Sequence, residues 1–194
     1  PKTAVNMVNI LRKAGCEVKY NVNQTCCGQP AFNSGYWNEA QAVADKWIKD
    51  MSLYKEPVVC PSSSCTGFVR NYYSDMELED SKLVSEVTFE FTEYLVDILG
   101  VTDFGAILPA KAVYHDSCAA LRECRIKEDP RELLSKVKGL ELLNLKDADQ
   151  CCGFGGTFSV KFEPISAAMA EKKVLNAISA GAEIIISADL SFLL

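Results

Sequence analysis

Two pairs of adjacent cysteines, each followed directly by a glycine, are the residues of this chain best suited to chemistry. They are Cys26-Cys27-Gly28 and Cys151-Cys152-Gly153. Neighbouring cysteines are poor partners for each other, because a disulfide between them strains the backbone. Thiolates held side by side are good ligands for soft metal centres, including iron–sulfur clusters. The two pairs therefore predict a duplicated thiolate site that binds metal.

The surroundings of the two pairs indicate an internal two-fold repeat. Each pair follows the pattern of an amphipathic helix, a glycine that ends it (Gly15 or Gly139) and an extended stretch. After each pair, the chain runs through a loop and a helix into a short apolar strand, over 58–60 in the first half and 183–187 in the second. We therefore predict two cysteine-rich repeats, over residues 1–80 and 81–194.

The repeat also predicts a strand ahead of residue 1. Cys118 follows a predicted strand over residues 112–115, upstream of Cys151. The matching position in the first half falls before the start of the chain, which opens in the pattern of a helix. We expect an N-terminal strand with its own cysteine in the full-length protein.

Composition and charge narrow the class of protein. A length of 194 residues is enough for two halves that share a core, and a net charge of −6 argues against a nucleic-acid partner. No apolar run approaches the ~20 residues of a membrane span. Nine cysteines form an odd count, and no signal peptide is visible. Together these features favour a soluble cytoplasmic protein with reduced thiols or metal ligands.

Helical and extended patterns alternate along the chain, which predicts an α/β fold with a parallel sheet flanked by helices in each half. The predicted helices cover 3–14, 39–51, a segment after residue 64, 88–99, 131–138 and 164–180; extended segments cover 16–22, 58–60, 112–115, 140–145 and 183–187. Sites in such sheets form at the carboxyl ends of the strands. Because the cysteines follow predicted strand ends, we expect them to converge on one edge.

Small residues beside the pairs also suggest a role. The loop Gly153-Phe154-Gly155-Gly156 matches neither the dinucleotide fingerprint nor a P-loop. Glycine lets the backbone approach sulfur and donate N–H hydrogen bonds, which tune reduction potentials. We therefore assign cofactor binding to Gly28, Gly153, Gly155 and Gly156. We expect Lys172 and Lys173 to lie on an exposed helix face.

Taken together, the motifs resemble the cysteine-rich CCG domain proteins, and most of all the lactate utilisation protein A group. The resemblance rests on both Cys-Cys-Gly pairs with the residues after them, on His-Asp-Ser-Cys at 115–118 and on Pro-Ser-Ser-Ser-Cys at 61–65. It covers nearly the whole chain. The same domain occurs in one subunit of heterodisulfide reductase and in the iron–sulfur subunits of glycolate and glycerol-3-phosphate oxidases.

The resemblance implies an iron–sulfur electron-transfer subunit of a complex that oxidises a 2-hydroxy acid such as L-lactate. It implies a 4Fe–4S type of cluster, and partner chains of ferredoxin-like iron–sulfur and flavin types in a lactate- or glycolate-oxidising complex. Carried over motif by motif, the ligands are Cys26, Cys27, Cys65, Cys118, Cys151 and Cys152. Phe192 stands where the family has a cysteine, so each half offers three motif thiolates instead of four.

Other interpretations of the same cysteines stay open. Zinc, or a reversible dithiol, would use the same side chains, which leaves a thiol–disulfide reductase or a structural metal module as alternative functions. We expect Cys16 and Cys124 to be structural and Cys60 to be a non-ligand. The single histidine, His115, excludes a histidine-rich zinc site, and we expect it to bond to local backbone groups.

Overall fold

The computed structural model describes residues 2–193, in which helices alternate with short strands. The helices are α1 (Lys2–Lys13), α2 (Gln29–Asn33), α3 (Trp37–Met51), α4 (Ser63–Tyr72), α5 (Ser81–Glu86), α6 (Phe91–Glu93), α7 (Asp129–Ser135), α8 (Thr157–Lys161) and α9 (Glu163–Ser179). The strands are β1 (Val58–Cys60), β2 (Thr88–Glu90), β3 (Ile107–Tyr114), β4 (Lys138–Leu143) and β5 (Ile184–Ile186). Pro1 and Leu194, the outer ends of the two predicted repeats, lie outside the described residues.

The strands form two small parallel sheets. In the first, β1 pairs with β2, and in the second β3 lies between β4 and β5. Helices flank both sheets, because each parallel crossover carries the chain over a face of the sheet. The predicted α/β class, with two related halves and a parallel sheet in each, is confirmed. The boundary between residues 80 and 81 stays a prediction.

The two halves correspond element by element. The order α1, cysteine pair, α2, α3, β1 in the first half matches α7, β4, cysteine pair, α8, α9, β5 in the second. The segment 16–22 takes the place of β4, but the structure gives it no neighbouring strand within residues 2–193, so it forms no ladder. The duplication seen in the sequence is therefore also a duplication of structure.

The larger core packs α3 against α4. Apolar side chains on α3 recur at helical spacing, which buries one face of that helix. Trp47 and Phe68 both pack edge-on against Tyr73, with ring centroids 5.7 Å apart in each pair. Edge-to-face aromatic pairs add to the stabilisation that buried area provides. The core therefore holds α3 and α4, which flank the first cysteine pair.

The halves join where the chain leaves β1 and β5. Ser62 Oγ donates to Asp189 Oδ1 at 2.9 Å, and Ser63 Oγ donates to the Ala188 carbonyl at 3.0 Å. A π-helical turn over Ala119–Cys124 packs against α4, where the Cys124 thiol lies 3.3 Å from the Ser63 carbonyl. These bonds connect equivalent segments of the two repeats and bring both groups of cysteines to the same side.

One predicted element was wrong. Residues 88–99 do not form one helix; the segment opens as strand β2, continues as α6, and then forms a π-helical turn over Tyr94–Ile98. Thr88 and Phe89 are good strand formers, and β1 offers them a partner. Glu90 caps the helix by accepting hydrogen bonds from the backbone N–H groups of Thr92 and Glu93. Pairing with β1 therefore outweighs the helical pattern of this segment.

None of the helices in residues 2–193 combines the length and apolar character that crossing a membrane requires.

The contact between the halves can be tested at Gly67. A Cβ at this position would overlap Glu123 Cβ. Alanine normally stabilises a helix relative to glycine by about 0.5–1 kcal/mol, but we expect Gly67→Ala to destabilise the protein by about 2 kcal/mol because of overpacking. Urea unfolding measures the difference.

Glu123→Gly supplies the control, because it removes the atom that the new methyl group meets. The double variant should recover part of the loss, so that the two effects are not additive. A stabilising or neutral Gly67→Ala would contradict this packing of the halves.

Candidate metal centre

A glycine N–H points at a cysteine sulfur in each half. Gly28 N–H donates to Cys26 Sγ at 3.5 Å, and Gly153 N–H donates to Cys151 Sγ at 3.4 Å. Both glycines have a left-handed backbone, with φ of 93° and 85°. Glycine adopts this conformation without steric cost, whereas other residues are strained in it. The repeated sequence therefore encodes a repeated turn in which the backbone donates to sulfur.

The same turn packs closely on the following long helix. A Cβ at Gly28 would lie 3.0 Å from the Ala40 carbonyl oxygen, and one at Gly153 would lie 2.6 Å from the Ser166 carbonyl oxygen. Ser166 Oγ also donates to the Gly153 carbonyl at 2.8 Å. No side chain fits at either glycine without movement of the helix, so the first turns of α3 and α9 fix the cysteine pairs.

Gly155 and Gly156 have a looser environment. A Cβ at Gly155 would contact only Phe158 Cβ, at 3.7 Å, and one at Gly156 would meet nothing within 4 Å. Thr157 Oγ1, which follows them, lies 2.6 Å from Ser34 Oγ of the first half. The loops after the two cysteine pairs therefore touch, which places both pairs at one end of the molecule.

The first half gathers its thiols around a cavity of about 500 Å³. Its cysteines are Cys16, Cys26, Cys27, Cys60 and Cys65. Cys27 is buried, and its pKa is raised by a hydrogen bond with Cys65 and by burial. Tyr73 Oη donates to the Cys27 carbonyl at 2.7 Å. The three predicted ligands of this half therefore share one space with Cys60, which we expected to be a non-ligand.

This cavity lies where the second half has its central strand. It is bounded by residues of the segment 16–21 and of 57–61, which correspond to the positions of β4 and β5. In the second half β3 fills the space between those strands. The strand predicted ahead of residue 1 stays a prediction.

The second half places Cys118 after β3, and Cys151 with Cys152 after β4. Burial raises the pKa of Cys118 and of Cys152, and Cys151 raises both further because like charges disfavour ionisation. Cys118 and Cys151 are exposed. A second cavity of about 220 Å³ adjoins Cys151 and is lined also by Gln150, Met169, Lys172, Lys173 and Asn176.

Two basic side chains hold the loop that leads into the second pair. His115 Nδ1 lies 3.1 Å from the Ala148 carbonyl oxygen, to which it must donate, since a carbonyl only accepts. Lys173 Nζ donates to the carbonyls of Asp147 and Ala148, at 2.6 and 3.3 Å. Burial, and then the charge of Lys173, lowers the pKa of His115, so the ring is neutral at pH 7. The expectation that His115 bonds to backbone is confirmed.

The prediction of an exposed Lys173 was wrong. Lys173 is 3% exposed, whereas the side chain of its neighbour Lys172 is 57% exposed. The signal was available in the sequence, because Lys173 lies seven residues after Ser166 and four before Ala177, both on the buried face of α9. A buried ammonium on that face needs hydrogen-bond acceptors, and the carbonyls of Asp147 and Ala148 provide them.

Phe192 places a ring where the resemblance implied a thiolate. Its centroid lies 4.3 Å from that of His115. Of the cysteines outside the motifs, Cys16 is half-buried, while Cys60 and Cys124 are buried, and burial raises the pKa of each of these two to about 12. Cys124 bonds to a carbonyl of the other half, which agrees with a structural role.

The donor set suits a metal or iron–sulfur group. No three His, Cys, Asp or Glu side chains between residues 2 and 193 are arranged so that they could hold one metal ion. Each half brings three motif thiols to the same end, with a backbone N–H already on one sulfur. Thiolates with N–H donors are the surroundings that such clusters take.

The fold and the paired-cysteine turns define a class of protein. Comparison with known families identifies that class. The model of the CCG cysteine-rich domain matches residues 1–70 and 112–191, so the chain belongs to this family. The resemblance drawn from the sequence is thereby confirmed.

Particular relatives are similar over the whole chain. Lactate utilization protein A 1 of Bacillus mycoides strain KBAB4 is 44% identical over 200 residues, which cover 100% of this chain and 81% of the relative. Lactate utilization protein A of Bacillus pumilus strain SAFR-032 is 45% identical, over 100% of this chain and 83% of the relative. Lactate utilization protein A 2 of Bacillus cereus strain AH820 is 40% identical, over 100% and 82%.

The close approach at the second turn can be tested with Gly153→Ala. We expect a loss of about 3 kcal/mol or more, because a left-handed alanine is strained and its Cβ collides with the Ser166 carbonyl. Gly181→Ala is the matched control, since Gly181 has φ of 79° and nothing within 4 Å of its added Cβ. It should lose only about 1 kcal/mol. Equal losses in urea unfolding would show that the turn does not press on α9.

The buried thiols predict how stability depends on pH in the metal-free protein. Cys60 and Cys124 have folded pKa values of about 12, above the unfolded value of about 8.5. A hydrogen bond with Cys65 and burial raise the pKa of Cys27 as well. The folded state therefore keeps at least three protons that the unfolded state loses, so stability is full well below pH 8.5 and falls as the pH rises toward 12. Between pH 7.5 and 9.5 each of these thiols contributes a loss of about 1.4 kcal/mol, so we expect a loss of about 4 kcal/mol in urea unfolding.

Cys124→Ser provides the comparison, because serine does not ionise in this range and can still donate to the Ser63 carbonyl. The variant should show about two-thirds of the wild-type pH dependence, because Cys27 and Cys60 remain. Stability that is flat between these pH values would mean that these thiols are not buried.

Proposed function

We propose that this chain is an iron–sulfur electron-transfer subunit of a cytoplasmic oxidoreductase complex that oxidises a 2-hydroxy acid, and that the acid is L-lactate. The observation that carries the proposal is the duplicated turn in which a glycine N–H donates to a cysteine sulfur. The names of the relatives, lactate utilization protein A, support the choice of substrate.

We assign cluster binding to the motif cysteines of both halves. They are Cys26, Cys27, Cys65, Cys118, Cys151 and Cys152. Bound to such thiolates, a 4Fe–4S cluster supplies one-electron transfer. The N–H groups of Gly28 and Gly153 stabilise negative charge on sulfur, and Gly155 with Gly156 leaves the backbone beside the second pair free of side chains.

Other residues hold the cysteine loops in place. Tyr73 donates to the carbonyl of Cys27 itself. In the second half, His115 and Lys173 both donate to the Ala148 carbonyl, just ahead of the second pair. Ligands held in position before metal arrives lose less conformational entropy when they bind it. These contacts preorganise the loops and carry no electrons.

The substrate chemistry belongs to other chains in this proposal. A flavin-type partner removes electrons from the hydroxy acid, and a ferredoxin-like iron–sulfur partner exchanges electrons with this subunit. The exposed sulfurs of Cys26, Cys118 and Cys151 lie at the end of the molecule where the two loops meet. That end is therefore the face that we assign to electron exchange.

The thiols themselves favour a cluster over a thiol–disulfide reductase. A reductase needs a nucleophilic thiolate, which requires a lowered pKa. The shifted cysteine pKa values in this protein are all raised; they belong to Cys27, Cys60, Cys118, Cys124 and Cys152. Metal binding can displace such protons, whereas attack on a disulfide would be slow.

Anaerobic reconstitution of the full-length protein with iron and sulfide tests the proposal. We expect near-stoichiometric iron and sulfide and an EPR signal on reduction. Cys27→Ser and Cys152→Ser should each lose at least about half of the iron, because each removes a thiolate from one half. Metal analysis and EPR together report the result.

Cys16→Ser and Cys124→Ser are the matched controls, one in each half and both outside the motifs. They should keep the iron content of the wild type. Loss of iron in the controls as well would point to general unfolding, and stoichiometric redox-silent zinc in place of iron would favour a structural metal module.

A further inference from the structure

The two cysteine turns have nearly the same backbone but differently charged surroundings. The glycines of the two turns contact Ala40 and Val43 on α3, and Ser166 and Met169 on α9. These contacts align the two helices residue by residue. On that alignment, Lys173 of the second half occupies the position of Trp47 in the first.

Both of these side chains are buried. Trp47 is 5% exposed and packs against Tyr73, whose hydroxyl donates to the Cys27 carbonyl. Lys173 is 3% exposed and donates to the carbonyls of Asp147 and Ala148. An indole is neutral, whereas an ammonium carries a full positive charge. One position therefore gives an apolar wall in the first half and a buried cation in the second.

The cation lies beside the second group of thiols. Lys173 lines the same cavity as Cys151, and the charge of Cys152 acts on it. The acidic groups that face Lys173 are Asp116, Asp147 and Asp149. Arg131 pairs with Asp116 at 2.7 Å, and Lys172 pairs with Asp147 at 3.5 Å. Two of the three carboxylates are thus balanced by other cations.

A structural role alone explains this lysine incompletely. The loop carbonyls need donors, but His115 already donates to Ala148, and Lys46 donates to the Asn23 carbonyl in the first half from the exposed surface. Burial of an ammonium carries a desolvation cost, and it lowers the pKa of Lys173. The charge itself needs an explanation.

We infer that the buried ammonium of Lys173 raises the reduction potential of the second-half cluster, which makes the second half the electron-accepting site of this subunit. The inference rests on the proposed function. Reduction adds one electron, and hence one negative charge, to a cluster, while the reduced flavin-type or iron–sulfur partner loses that electron. A fixed positive charge close by stabilises the reduced state, and burial protects this interaction from screening by salt.

The test measures the midpoint potential of the second site alone. In a Cys27→Ser background, which disables the first site, potentiometric EPR titration follows the remaining cluster. Lys173→Met should lower the equilibrium constant for reduction about tenfold, a downward shift of about 59 mV. Lys173→Arg keeps the charge and should retain the wild-type potential, and Lys172→Met should shift it less because that lysine is exposed.

Lys173→Gln keeps the result decisive if the methionine variant fails to fold. Glutamine retains an N–H donor for the loop carbonyls and removes only the charge, so it should reproduce the downward shift. Unchanged potentials in Lys173→Gln, at equal iron content, would overturn the inference and leave Lys173 as a support for the loop.

A second measurement needs no cluster, so it separates this inference from the proposed function. In the metal-free protein at a fixed pH, iodoacetamide labelling read by mass spectrometry compares Cys152 with Cys26 in the same molecule. Neutralising Lys173 should slow the labelling of Cys152 about threefold relative to Cys26, because thiolate is less favoured. If the wild type binds no iron, the proposed function fails; if the labelling ratio is also unchanged in Lys173→Gln, the electrostatic role fails with it.

Discussion

A backbone turn in which glycine has no substitute is the constraint on which the rest of this structure depends. Gly28 and Gly153 have a left-handed backbone, and each lies near a helix carbonyl, so that a methyl group would be in tight contact with the carbonyl at Gly28 and would collide with it at Gly153. The turn aims the glycine N–H at the sulfur two residues earlier. Because the glycine also packs on the first turns of α3 or α9, the sulfur cannot move independently of that helix. In both halves, therefore, the packing of the helix also determines the position of the sulfur.

The second consequence of duplication is that both sites lie at one end. Parallel strands direct their carboxyl ends to the same edge, and each cysteine group follows such an edge. Ser62 and Ser63 after β1 bond to Asp189 and Ala188 after β5, so equivalent exits of the two repeats bind each other. The contact between Ser34 and Thr157 joins the two loops after the cysteine pairs. Neither half could shift along the other without breaking these bonds.

The sequence predicted what local patterns determine and missed what tertiary partners decide. The long helix α3 follows from its apolar periodicity, and the repeat follows from the paired cysteines. The segment that begins at Thr88 has the pattern of a helix, but β1 recruits its first three residues as a strand. Cys60 has the pattern of a core residue, and only the folded chain shows that it shares a cavity with Cys26, Cys27 and Cys65. Lys173 resembles a surface residue until it is placed on the buried face of its helix.

Lys173, which we predicted to be exposed, shows how a repeated backbone can carry two different sites. The geometry of the thiols is set by main-chain groups, which the repeats share, whereas the local field is set by side chains, which they do not. In the first half Trp47 and Tyr73 are buried and add no charge around Cys27. In the second, an ammonium takes the place of the indole without disturbing the turn, because two carbonyls satisfy it. The position of the sulfurs and the electrostatic potential around them are thus set by separate groups of atoms. The potential can therefore change while the position stays fixed. In the electron-transfer subunit that we propose, two sites with the same turn and unequal field would give the transfer a direction.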